Sequence, residues 1–357
     1  MINVTKTFLP PFDEYTQMLK RAWDKAWITN NGELVQELEA KLKEYLGVKH
    51  LLFTTNGTIV LQMALKAYNI TKEVITTPFS YVATTNAILW EGCTPVFVDI
   101  DKNNFCIDPA KIEAAITENT EAILATHVYG LPCDVEAIQG IAQKHKLKVI
   151  YDAAHAFGTI YNGKSLLSYG DISTCSFHAT KVFHTVEGGC IITNDDEVAR
   201  QLMLFRQFGH IGDDYYTIGV NGKNSEFHAA MGLVNLGYVE EILKRRKELS
   251  LFYNGQLQEA NCTRLVVDET NTQFNYSYYP VFFETEEQCN RVIHALKKEN
   301  ITPRRYFYPG LSGLPFVKHA NATPVSDDLA ARVLCLPLYF DLSKEDIIRI
   351  CKIVMNA

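Results

Sequence analysis

Long apolar runs are missing from this chain. No stretch approaches the roughly 20 residues needed to span a bilayer, so no membrane partner is expected. The opening MINVTKTFLPPFDEY lacks the charged-then-apolar layout of a signal peptide. No basic cluster or stripe occurs in a chain of net charge −7, which argues against a nucleic-acid partner. Cysteines at metal-binding spacing are also missing. The nine cysteines are odd in number, widely spaced and include no CxxC pair. This argues against a disulfide framework or a zinc site and leaves reduced thiols, small core residues of a cytoplasmic protein. No GxGxxG follows any apolar run, so the dinucleotide-binding fingerprint of an oxidoreductase is absent.

What is present is an alternation. Of 357 residues, 47% are hydrophobic and 21% charged, values that suit one large globular domain and a smaller one. HLLFTT (50–55), EVITTPF (73–79), TPVFVDI (94–100), EAILATHVYG (121–130), LKVIYDAAH (147–155), ISTCSFHA (172–179) and GGCIITND (188–195) read as strands. IVLQMALKAY (59–68), YVATTNAILWEG (81–92), residues 108–116 and DVEAIQGIAQKHK (134–146) read as helices between them. This order predicts an α/β fold with a mainly parallel central sheet flanked by helices. In such sheets, sites form at the carboxyl ends of strands. EVARQLMLFRQFG (197–209) reads as a further helix and residues 225–257 as one long helix. TQFNYSYYPVFFE (272–284) then reads as a strand and residues 286–300 as a helix. Residues 1–245 are expected to form an N-terminal segment and large domain, and 246–357 a smaller C-terminal α/β domain.

Four strand ends carry residues with chemical capacity. In TTNGTIVLQMAL (54–65), Gly57 permits a tight turn into a helix whose N–H groups, with the Thr58 hydroxyl, suit a phosphate. By itself this reads as a plain N-cap. In PFSYVATTNA (78–87), Tyr81 opens a helix where it either stacks on a flat ring or fills core or rim. In KVIYDAAHAFG (148–158), a buried strand ends in Asp152, a carboxylate that must be paired, with His155 three residues on. No third ligand stands at metal spacing, so no metal is expected. In SFHATKVFHTVEGG (176–189), Ser176 ends a strand and Lys181 follows among small polar neighbours. A lysine held from water has a lowered pKa and can form a Schiff base with an aldehyde. Each signal is weak alone. Together a phosphate cradle, an aromatic face, an acid for a ring nitrogen and a reactive lysine match pyridoxal 5′-phosphate.

These motifs, in this order, resemble the DegT/DnrJ/EryC1/StrS family of pyridoxal-phosphate-dependent sugar aminotransferases, which have the aspartate aminotransferase fold (fold type I). The resemblance extends from VTKTFLPP (4–11) and WITNNGELVQELEAKLKEYLGV (27–48) to IGVNGKNSEFHAAMGLVNL (218–236) and PRRYFYPGL (303–311). It implies that Lys181 binds the cofactor's aldehyde, Asp152 its ring nitrogen and Tyr81 its ring face. It implies that Gly57, Thr58 and Ser176 hold the phosphate, with Asn221 supplied by a second subunit, hence a homodimer with shared sites. Two positions depart from the commonest pattern: His155 stands for a glutamine, and Lys223 for an arginine that follows the crossing asparagine. Lysine lacks the arginine fork, which puts any carboxylate contact there in doubt.

The resemblance also implies the reaction. L-Glutamate, the family's usual donor, gives its amino group, with the Lys181 amine as general base and acid. A nucleotide-linked keto-sugar then receives it. Trp27, Thr29, Asn30, His184, Glu187, Tyr306 and Tyr308 are candidates to line the sugar's path. The RRYFYP segment (304–309) is similar to members that aminate C4 of a dTDP-6-deoxyhexose, which points to dTDP-4-keto-6-deoxyglucose. C3 amination is the rival within the class. O-antigen, capsule and antibiotic sugars are the implied settings. A dehydratase subgroup carries histidine in place of the lysine, and Lys181 speaks against it. A non-catalytic cofactor-binding regulator is a further alternative, against which the intact Lys181 and Asp152 stand.

Overall fold

The computed structural model describes residues 1–318 and 321–357. Seven strands form the central sheet: β1 His50–Thr54, β2 Glu73–Thr76, β3 Thr94–Phe97, β4 Thr120–Thr126, β5 Lys148–Asp152, β6 Ile172–Ser176 and β7 Gly189–Thr193. Their order across the sheet is β1-β7-β6-β5-β4-β2-β3. β7 is antiparallel to both β1 and β6, and the remaining pairings are parallel. The exception has a local cause. A parallel return needs a crossover, normally a helix. Residues 177–188 contain none, so the chain doubles back beside β6 and the Phe177 N–H donates to the Gly188 carbonyl at 2.8 Å. That turn carries Lys181 over the carboxyl edge of the sheet.

Both faces of the sheet are covered. Ile75, Ile123, Val149 and Tyr151 pack in one apolar cluster, while Val74, Ala122, Leu124 and Ile150 pack in another. The alternation follows the pleat, and burial on both sides explains why these strands read as continuous apolar runs. A smaller antiparallel sheet of Cys262–Arg264, Tyr279–Phe283 and Val333–Leu336 lies in the C-terminal part of the chain. The helices Glu286–Lys298 and Lys344–Asn356 pack with it through Val292, Leu296, Ile347 and Ile350. Among the described residues no helix is long and apolar enough to cross a membrane.

Two expected elements differ. The long helix over 225–257 is two, Glu226–Leu236 and Val239–Gln256. The break falls at Gly237, which has the lowest helix propensity after proline, and Tyr238, whose hydroxyl is drawn to Glu14 at 2.7 Å. The strand expected over 272–284 is confined to Tyr279–Phe283, while Thr272–Gln273 pairs separately with Ile160–Tyr161. Between them the Asn275 amide donates to the His155 and Phe157 carbonyls at 2.6 and 2.9 Å. These bonds bend the chain and bring Tyr278 toward the carboxyl edge of the large sheet.

Candidate active site

A cavity of about 250 Å³ opens at the carboxyl ends of β1, β5 and β6. One wall is the start of the helix Gly57–Ala67. Asn56 caps it, its Oδ1 accepting from the Thr58 and Ile59 N–H groups at 3.0 and 2.9 Å. The Thr58 amide is thus engaged, while the Gly57 N–H and the Thr58 hydroxyl have no acceptor among the described residues. Ser176 stands beside them. A Cβ on Gly57 would lie 2.7 Å from the Ser176 Cβ, so the two segments approach this closely only because residue 57 is glycine.

The opposite wall holds the charged pair. Asp152 ends β5 at 5% exposure. Its Oδ2 accepts from the Thr84 hydroxyl at 2.7 Å and its Oδ1 from the Ala154 N–H at 3.1 Å. Thr84 is bonded to Ser80 at 2.8 Å, and Ser80 to Thr126 at 3.0 Å. An ionised carboxylate only accepts. Thr84 therefore donates to Asp152, Ser80 to Thr84 and Thr126 to Ser80, a chain of buried hydroxyls aimed at one acid. Burial pushes the Asp152 carboxyl up, and these hydrogen bonds and the Lys181 charge oppose it. Lys181 is shifted down by burial, partly offset by Asp152. The direction matters, since it enlarges the neutral, reactive fraction of the amine.

His155 is buried, and burial together with the Lys181 charge holds its pKa well below the ordinary value, so the ring is neutral. Its Nδ1 has no partner among the described residues. Phe307 stacks on it at 5.4 Å and Tyr278 meets it edge-on at 5.0 Å. Tyr81, N-cap of the helix Val82–Trp90, is 50% exposed at the cavity. Glu187 and Tyr306 also line it, and burial raises the Tyr306 phenol to about 12.

Other expected residues lie elsewhere in this chain. Trp27, Thr29 and Asn30 are exposed on the N-terminal segment and do not line the cavity. Trp27 borders a separate surface cavity with Arg21 and Lys25. His184 is 1% exposed and engaged, its Nε2–H donating to the Phe8 carbonyl at 2.6 Å and its Nδ1 accepting from the Val186 N–H at 3.1 Å. It anchors the N-terminal segment and does not reach the cavity. Tyr308 lies outside with the Arg305 guanidinium 3.4 Å from its ring. Asn221 is exposed, accepting from the Lys223 ammonium at 3.0 Å. Its neighbour Gly222 accepts from the Thr55 N–H at 3.0 Å, which puts Asn221 beside the cradle but outside the cavity.

Sequence reasoning missed Ser80, Thr84, His178, Thr180, Tyr278, Arg304 and Phe307. Thr84 had a signal, being on the first turn after Tyr81. Arg304 had one too, standing two residues before Tyr306 in the RRYFYP segment, whereas Tyr278 had none, because only the fold brings it to a strand end so distant in sequence.

A buried acid facing a lysine of lowered pKa, with a helix N-terminus across the cavity, defines the class: a pyridoxal-phosphate-dependent enzyme on fold type I. The chain belongs to the DegT/DnrJ/EryC1/StrS aminotransferase family, whose model matches residues 12–355. It is therefore an aminotransferase, and its cofactor is pyridoxal 5′-phosphate. It is 43% identical over 352 residues to a dTDP-4-amino-4,6-dideoxy-D-glucose transaminase from Shigella dysenteriae, covering 96% of this chain and 95% of the relative. The structure of DesI with its TDP-sugar product superposes with a TM-score of 0.95 at 32% identity, over 99% of this chain and 92% of that one. Spr1654 from Streptococcus pneumoniae in its PLP form gives 0.91 at 25% identity, over 99% and 98%. The residues present fit the cofactor: Gly57 leaves no Cβ in the cradle, and His155 has an orphaned buried nitrogen.

Proposed function

We propose that this protein transfers the amino group of L-glutamate to dTDP-4-keto-6-deoxyglucose, giving dTDP-4-amino-4,6-dideoxyglucose. The observation that carries this reading is the 43% identity, over nearly the full length of both chains, with a transaminase named for that product. The likeness to DesI with its TDP-sugar product supports a TDP-linked sugar.

When bound, the cofactor supplies an electron-withdrawing ring and carries the amino group between the two substrates. Lys181 would hold its aldehyde carbon, Asp152 its ring nitrogen and Tyr81 its ring face. Gly57, Thr58 and Ser176 would hold its phosphate, and the His155 Nδ1 would meet its ring hydroxyl. The freed Lys181 amine takes the proton from the donor's α-carbon and returns one to the sugar carbon, work suited to an amine of lowered pKa. The Thr84 and Ala154 donors favour the anionic form of Asp152 against its burial. Glu187 and Tyr306 are the sugar-path candidates inside the cavity.

The active form is a homodimer with shared sites in the cytoplasm. Two features support the dimer. Segment 208–220 exposes Phe208, Ile211, Tyr215, Tyr216 and Ile218, an apolar surface beside the cradle. Asn221, at its end, lies outside its own cavity, as a residue serving a second chain would. Eight of the nine cysteines are buried and all are unpaired, which suits the cytoplasm. Residues 246–357 act as the small domain that lends Tyr278, Arg304 and Tyr306 to the cavity.

The test is a pair of half-reactions followed by the visible spectrum. L-Glutamate is expected to bleach the cofactor's band, and after donor removal dTDP-4-keto-6-deoxyglucose to restore it with release of a 4-amino sugar. Restoration by 3-keto sugars alone overturns the C4 assignment. No bleaching by glutamate overturns the donor.

A further inference from the structure

The donor carries a carboxylate on the carbon whose amine must reach Lys181. A site for it needs a second cation inside the cavity, since Lys181 is committed to the cofactor. Lys223 does not provide one. Its ammonium is bonded to Asn221 at 3.0 Å, lies 4.5 Å from the centre of the Phe208 ring, and does not line the cavity.

Arg304 does. It lines the cavity together with Lys181 and Asp152. Its backbone is fixed, donating to the Cys335 carbonyl at 3.2 Å and accepting from the Cys335 N–H at 2.8 Å. Its guanidinium lies 4.7 Å from the centre of the Tyr306 ring, a contact that orients the planar fork without using its N–H groups. The next residue shows the contrast. Arg305 turns to Glu286 at 3.0 Å and to the Ala330 carbonyl at 3.2 Å, whereas the Arg304 side chain has no acceptor or acid partner among the described residues. A fixed, unpaired arginine fork in a cavity is suited to bidentate recognition of a carboxylate.

We propose that Arg304 binds the α-carboxylate of the amino donor. The inference rests on the proposed glutamate half-reaction. The sugar's diphosphate is a weaker candidate for the same fork. C1 and C4 are opposite carbons of a hexose ring, so a diphosphate on C1 lies a full ring away from the reacting C4. The donor's carboxylate is attached to the reacting carbon itself.

The test compares Arg304→Gln and Arg304→Lys holoenzymes with wild type in each half-reaction separately, and adds calorimetric binding of glutarate, a dicarboxylate without an amine. The side chain is exposed, so folding is expected to persist. Arg304→Gln should raise the glutamate concentration for half-maximal conversion and weaken glutarate on the order of 10- to 100-fold. Arg304→Lys should recover part of both. The sugar half-reaction and the cofactor's band should hold at wild-type values. Wild-type donor kinetics in Arg304→Gln overturns the assignment, and so does a loss confined to the sugar half-reaction or equal in both. A wild-type enzyme that glutamate leaves unchanged overturns the donor reading itself, and this one with it.

Discussion

Replacing Thr84 with valine keeps the shape of a fully buried side chain and removes one donor from Asp152. The lost bond is 2.7 Å long, connects two buried groups, and favours only the charged carboxylate. A hydrogen bond to a charged group contributes about 1.5–3 kcal/mol. That is on the order of 10- to 150-fold in the acid's ionisation constant. Burial already pushes this acid up, and only the Ala154 N–H and Lys181 remain to oppose it. The sign follows. A higher Asp152 pKa means protonation begins at higher pH, and a protonated acid no longer supports a charged ring nitrogen. The assay is the rate of cofactor bleaching by L-glutamate across pH. The acid limb of the Thr84→Val profile should move to higher pH. Ser80→Ala is the control: it breaks the next bond in the hydroxyl chain, leaves Thr84 donating to Asp152, and should move the limb little. An unmoved limb in folded Thr84→Val, or an equal movement in Ser80→Ala, refutes the reasoning.

Lys181→Ala should keep the fold, lose the visible band of lysine-bound cofactor and slow the glutamate half-reaction at least ~100-fold. Absorbance and thermal melting check this. His184→Ala should do the opposite, costing about 2 kcal/mol in urea denaturation through the lost ring bonds to the Phe8 carbonyl and the Val186 N–H while band and donor kinetics stay unchanged. Full burial brings His127 down to about 3 from the ordinary 6.5. Its contribution to stability is complete above 6.5 and is lost as pH falls toward 3, up to ~4 kcal/mol. Denaturation midpoints measured between pH 7 and 4 should therefore fall more steeply in wild type than in His127→Gln.

Much of the site was legible because its signals are local. Gly57, Asp152, Ser176 and Lys181 each follow an apolar run at the point where a strand must end, and chain and side chain are decided within a few residues. The long helix over 225–257 misled for a local reason too: its apolar pattern continues through Gly237, and the pull of Glu14 on Tyr238 comes from the far N-terminus. His184 was expected at the sugar because it closely follows Lys181. The turn between β6 and β7 sends it instead into the packing against Asn235.

The sequence by itself determined the α/β alternation, the strand ends and the kinds of group placed there. These depend on the period of burial along the backbone and on which residues end a strand. The tertiary structure alone decided that Thr84 serves Asp152, that Tyr278 and Arg304 join a cavity begun by Gly57, and that burial lowers the Lys181 pKa while hydrogen bonds oppose the rise of the Asp152 pKa. Those facts depend on distances between residues far apart in the chain and on the loss of water around them. Neither exists until the two apolar faces of the sheet are covered and the C-terminal strands are docked.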